Sequence, residues 1–184
     1  MRARRWLFFL VLLLLLPPLP ARAQRGGRVS ILGNVGALWP QMEHQRTSRF
    51  DTPTALLTGA LLNYGITDHA GIQFGLLSSE MRVRTDRNHD NTMTAQEIVT
   101  CFRWNVLTDL IQPYMLLGAN YYIISLDPPL EDESDPGLIG GIGLEAVLTD
   151  HVSFGAVGRY SYLFADHFDS ATMFSGLFTL AFTF

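Results

Sequence analysis

Ile98-Val99-Thr100-Cys101-Phe102-Arg103-Trp104-Asn105-Val106-Leu107-Thr108-Asp109 alternates apolar and mixed positions, sets an arginine between two aromatic residues, and ends on Thr-Asp. Alternation with period two describes a strand with two unlike faces. Thr and Asp side chains bond nearby backbone and favour tight turns, so the stretch reads as a strand running into a turn. The same Thr-Asp pair stands at 67–68 and 149–150, each 41 residues from its neighbour, and each follows an alternating run. A fixed period exposes the architectural unit. A unit of this length accommodates two strands, one tight turn and one longer loop. Four such hairpins fit the chain, so we expect eight antiparallel strands closed into an up-and-down barrel.

Arginine decides which face looks outward. Arg103 lies between Phe102 and Trp104, and Arg159 between Gly158 and Tyr160, in mid-strand. An arginine facing lipid at the bilayer midplane costs about 2–4 kcal/mol. Both are therefore expected inside, with Glu97, Glu145, Asn34, Asn63, Gln73 and Asn120 on the same faces. Glu97, Arg103, Glu145 and Arg159 would then form a lumen charge network, paired or hydrogen-bonded because a lone buried charge is costly. Ile98, Phe102, Trp104, Leu144, Leu148 and Phe154 face out. An apolar exterior around a polar interior inverts the soluble pattern and describes a membrane-spanning barrel. Cys101 is a small lumen-facing residue on this reading. Gly36, Gly59, Gly75, Gly118, Gly141, Gly143 and Gly155 fall on or near the inner face. Eight strands leave an interior that side chains fill, so a plugged barrel is expected.

Further strands are expected near 28–40, 53–66, 69–83, 93–106, 111–125 and 137–148, followed by one from Val152 to Tyr162 and a last one ending at Phe184. Tyr64, Trp104 and Phe184 would form an aromatic girdle at the turn end, with Trp39, Tyr121, Tyr162 and Phe164 at the other. Pro113 is expected where its strand enters, close to the turn at 108. Longer polar loops at 41–52, 84–92, 126–136 and 165–170 face the short turns, which is the sidedness of an outer-membrane barrel. The short turns and both termini are then periplasmic.

The first residues read as a leader. Arg2, Arg4 and Arg5 precede an apolar run from Trp6 to Leu16, then prolines and Ala21-Arg22-Ala23. This describes a secretory signal peptide over 1–23, cut before Gln24, with an uncleaved anchor as the competing reading. The barrel domain would occupy 24–184. It holds nine arginines, no lysine and seventeen acids, a formal charge of about −8, which argues against nucleic-acid binding. A single cysteine excludes an internal disulfide.

Tyr64-Gly65-Ile66-Thr67-Asp68-His69, Pro113-Tyr114 followed by Gly118, Gly141-Ile142-Gly143-Leu144-Glu145 leading to Leu148-Thr149-Asp150, and a final strand ending in Phe184 carry a family likeness. In order, spacing and polarity the chain from about 28 to 184 resembles the small OmpA-like and OmpX-like outer-membrane β-barrel domains. The resemblance implies that Phe178, Leu180, Phe182 and Phe184 form the signal read by the barrel-assembly machinery. It also implies outer-membrane lipid and lipopolysaccharide as surroundings. A monomer is expected, without a cofactor and without the peptidoglycan-binding domain that follows some relatives' barrels. The family has no single activity, and fold does not supply one.

Several constellations were candidates for chemistry. Asp86, Asn88, Asp90 and Glu97 stand at positions 1, 3, 5 and 12 of a calcium-loop pattern, but Asn91 occupies the glycine position and no helices flank it. The acidic segment 127–136 could bridge divalent cations to lipopolysaccharide; a solvated rim loop is the simpler reading. His167 and Ser170 are the candidate His–Ser pair, and they lack the His-x-Ser pattern of lipid A-modifying barrels. His44, His89 and His167 lie in different loops with no metal-ligand spacing, while His69 and His151 read as turn residues. No catalytic residue is assigned. The expected role is non-enzymatic, structural or through surface loops. The alternatives are a lipid A deacylase or acyltransferase, a narrow ion-conducting barrel, and a soluble exported carrier resembling lipocalins.

Overall fold

The structure, a computed structural model, describes residues 26–44, 54–84, 90–126, 133–164 and 168–184. Eight strands follow one another: β1 (Val29–His44), β2 (Ala55–Gly65), β3 (Ala70–Arg84), β4 (Asp90–Asn105), β5 (Ile111–Leu126), β6 (Glu133–Val147), β7 (Val152–Leu163) and β8 (Phe168–Thr183). Each pairs antiparallel with its sequence neighbours, and β8 pairs with β1 to close the barrel. Closure satisfies every strand edge internally, which the bilayer interior demands.

Register fixes the tilt. Following partners from Ser30 through Asn63, Gln73, Cys101, Gly118, Ile139, Ser161 and Met173 returns to β1 at Pro40. The circuit thus climbs ten residues, and this stagger is what tilts the strands of a closed sheet. It also brings inward residues of distant strands to one level. Narrow barrels need close strand approach as well. A Cβ on Gly36 would strike the Gly176 carbonyl oxygen and come within 2.7 Å of Leu177 Cα, and one on Gly118 would lie 2.6 Å from Cys101 Cα. Only glycine fits at such points.

The three Thr-Asp pairs are turns, but they are not alike. Thr67 Oγ1 accepts from the backbone N–H groups of His69 and Ala70 at 3.2 and 3.0 Å, and Thr149 Oγ1 accepts from His151 and Val152 at the same distances. The threonine closes these turns. His69 and His151, read as turn residues, then reach sideways: their Nδ1 atoms lie 3.0 and 2.9 Å from the carbonyl oxygens of Asn105 and Thr183. At the middle turn Leu110 replaces the histidine. The backbone pattern survives the change, because the carbonyls of His69, Leu110 and His151 accept from Asn105, Val147 and Thr183. A belt of turn-to-strand hydrogen bonds therefore runs along this rim.

The opposite end departs from expectation. Strands continue into all four stretches read as loops: β1 reaches His44, β4 begins at Asp90, β6 at Glu133 and β8 at Phe168. Above the bilayer both faces of a strand are polar, so alternation fades while backbone pairing continues. The acidic segment 127–136 thus ends in strand, with Tyr122 opposite Asp135 and Tyr121 opposite Pro136. Pro113 is the third residue of β5, close to its turn as expected, and its carbonyl accepts from Val106.

Candidate functional site in the barrel lumen

The two faces separate as the arginines required. Ile98, Phe102, Trp104, Leu144, Leu148 and Phe154 are exposed on the outer wall, whereas Arg103 and Arg159 are 1% and 2% exposed. Glu97 is 0% exposed, and Glu145, Asn34, Asn63, Gln73, Asn120 and Cys101 are buried beside them. Aromatic girdles mark both ends of the outer band. Trp39 meets Phe174 at 5.7 Å and Tyr162 meets Phe164 at 5.5 Å toward the loops. His69 and Phe102 flank Trp104 at 6.3 and 6.4 Å near the turns.

The four charges form two separate pairs. Toward the loops, Arg159 Nη2 donates to Glu97 Oε2 at 2.9 Å, and Arg159 Nε donates to Ser175 Oγ at 3.1 Å. Asn120 Nδ2 bridges Glu97 Oε1 and Ser161 Oγ at 2.8 and 3.0 Å. Toward the turns, Arg103 Nη2 lies 2.5 Å from Glu145 Oε2, closer than it is well aligned, while Arg103 Nε donates to Asn105 Oδ1 at 2.8 Å. Ser153 Oγ donates to Glu145 Oε1, and the guanidinium sits 4.0 Å over the Tyr114 ring. Between the pairs, Thr179 Oγ1 donates to Asn34 Oδ1 at 2.8 Å.

Asn105, Tyr114, Ser153, Ser161 and Ser175 complete these networks and were not singled out by sequence reading. The signal was available: Asn105, Tyr114, Ser153 and Ser161 share the inward parity of Arg103, Asn120 and Arg159 on their strands, and Ser175 lies on the face of β8 opposite its outward aromatic row. The interior is also less polar than expected. Leu38, Leu57, Leu77, Ile139, Leu163 and Met173 are buried in the same lumen, and Ala95 and Ile124 lie on the loop side of Glu97 and Tyr122 within their strands. A closed narrow interior excludes water whatever its side chains are, so apolar residues serve as well inside as outside.

Little space remains. The cavity among Asn34, Cys101, Tyr114 and Arg159 measures about 10 Å³, and one at the turn end beside Gln112, Glu145 and Ser153 about 20 Å³. Each is the size of about one water. Neither of these two is large enough for a substrate, and the chemistry of the described interior is mutual neutralisation of fixed charges.

Glu97 is consequently not a calcium ligand: its carboxylate is committed to Arg159 and Asn120. Asp86, Asn88, His89 and His167 lie outside the described residues, and the side chains of His44, Asp90 and Ser170 are likewise not described. Phe178, Leu180 and Phe182 occupy one outward row of the closing strand, and exposed Phe184 follows directly after its end.

The sequence matches the outer membrane protein beta-barrel domain over residues 7–182. The chain belongs to that family. It is an outer-membrane protein, and its eight-stranded closed sheet is the barrel of that family. No curated protein matches the sequence. Among solved structures it is similar to the outer membrane protein OprG from Pseudomonas aeruginosa, at 13% identity and a TM-score of 0.63, covering 88% of this chain and 98% of that one. Neisserial surface protein A gives 12% identity and 0.63, covering 86% and 99%. Ail, the attachment invasion locus protein of Yersinia pestis, gives 14% and 0.58, covering 86% and 99%. At these identities the likeness concerns the fold.

Proposed function

We propose that this barrel is non-enzymatic and acts from its loop end, as a surface-interaction or structural protein of the outer membrane. The observation that carries the reading is the lumen: among the described residues both ion pairs are buried, and the apolar side chains of Ala95 and Ile124 pack on the loop side of Glu97 and Tyr122. Transport through such an interior would require breaking a buried pair, which costs about 3–5 kcal/mol. What remains to meet the outside is the loop end. Similarity to the attachment invasion locus protein, which was also crystallised with the heparin analogue sucrose octasulfate, fits a surface-contact role.

In this reading the short turns and both termini are periplasmic. Phe178, Leu180, Phe182 and Phe184 are the assembly signal, residues 1–23 are removed on export, and the barrel works as a monomer among lipopolysaccharide and phospholipid. The test compares cells carrying the full chain with cells whose residues 127–132 are replaced by Gly and Ser, scoring attachment to host matrix and to sulfated glycan surfaces. Attachment that falls with the replacement supports the reading; attachment indifferent to every loop replacement sinks it.

A further inference from the structure

At the turn end of the lumen a buried carboxamide stands without a partner. Gln112 is 1% exposed, and neither its amide nitrogen nor its amide oxygen bonds to another residue among those described. Burying an amide unpaired is costly, and a cavity of about 20 Å³ lies beside this one. It is lined by Gln112, by the cross-strand partner Glu145 and by Ser153, with Arg28 and Asp150 toward the rim. The rim is open to solvent there. Thr149 and Asp150 are exposed, and the Glu145 side chain keeps 11% exposure against 1% for that of Glu97.

We propose that this cavity is a water-binding site, in which one water from the turn-side solvent accepts from the Gln112 amide and donates to the Glu145 carboxylate. Charge, bonding capacity and size select the ligand together. Two arginines, Arg28 and Arg103, stand with two carboxylates, Asp150 and Glu145, and Arg103 already neutralises Glu145. No net charge calls for an ion. Linking an amide N–H to a carboxylate also takes a ligand that both accepts and donates; a metal ion or a halide does only one of these. A volume near that of one water admits nothing larger. The lumen is then wet at its turn end and dry at its loop-side pair. Asn120 marks the dry level: its nitrogen donates to Glu97 and Ser161, and its oxygen packs 2.5 Å from where a Cβ of Gly137 would stand.

Nuclear magnetic resonance of the full chain in lipid nanodiscs reads both amides. Cross-relaxation from water should reach the side-chain amide protons of Gln112 and not those of Asn120. In heavy water the Gln112 amide signal should fade at least about tenfold sooner than that of Asn120. Water contacts absent at Gln112, or equal at the two amides, overturn the proposal. Gln112→Met, close in shape and without polar atoms, gives an independent readout. Were the amide bonded to nothing, its removal would relieve an unsatisfied burial and raise the urea midpoint. With a water held there, the substitution removes one of that water's partners and the midpoint falls. The lower midpoint is expected; an unchanged or higher one contradicts the proposal.

Discussion

Arg159 and Glu97, 62 residues apart in sequence, meet across the lumen through a 2.9 Å hydrogen bond from Nη2 to Oε2, with neither side chain more than 2% exposed. The pair ties β7 to β4, strands that share no backbone ladder. Each partner makes burial of the other tolerable, so removing one should harm more than removing both. Glu97→Gln is expected to cost about 3–5 kcal/mol, and Glu97→Leu with Arg159→Met to recover most of it. Urea titration of the barrel in bilayers measures both.

The rim belt gives a second prediction. Thr149→Val removes the acceptor for two backbone N–H groups at 3.2 and 3.0 Å and should cost about 1 kcal/mol. Thr108→Val, at the turn closed by the Val106 N–H donating to the Pro113 carbonyl, should lie within about 0.5 kcal/mol of the parent. Equal losses at the two positions would show that the threonines, despite their common period, do not divide into these two roles.

Strand spacing gives a third. Gly36→Ala places a methyl against the Gly176 carbonyl and 2.7 Å from Leu177 Cα, at the β1–β8 closure. Backbone must move, so the loss should reach about 3 kcal/mol and the heat-resistant folded band on cold gels should fade. Gly158→Ala, with open space outside, should leave that band intact.

Sidedness can be checked on intact cells. External protease is expected to cut within 127–132 and to spare the turns at 67–69 and 149–151, which emerge at the other end of the barrel. Lipid A mass profiles should be identical with and without the protein; a difference abolished by His167→Ala would instead establish the enzyme reading.

The barrel was legible because its constraint is simple. Two arginines in mid-strand orient every strand through parity, and three Thr-Asp pairs locate one end. Parity alone also held the site: Ser161 and Ser175 sit inward for the same reason as Arg159. What sequence could not supply was the pairing. Arg159 finds Glu97 on β4, and Arg103 finds Glu145 on β6, because the ten-residue stagger sets which levels coincide, and stagger leaves no mark on a single strand. The polar ends of β1, β4, β6 and β8 were hidden for a related reason. Backbone pairing extends them where no apolar face is needed.

The central claim is a sealed lumen with function outside it, and conductance across a planar bilayer tests it most directly. The folded chain should produce no discrete current steps at neutral pH. Steady steps in the unmodified protein, lost or altered in Arg159→Met, would show that ions pass the Glu97–Arg159 pair and would contradict the account.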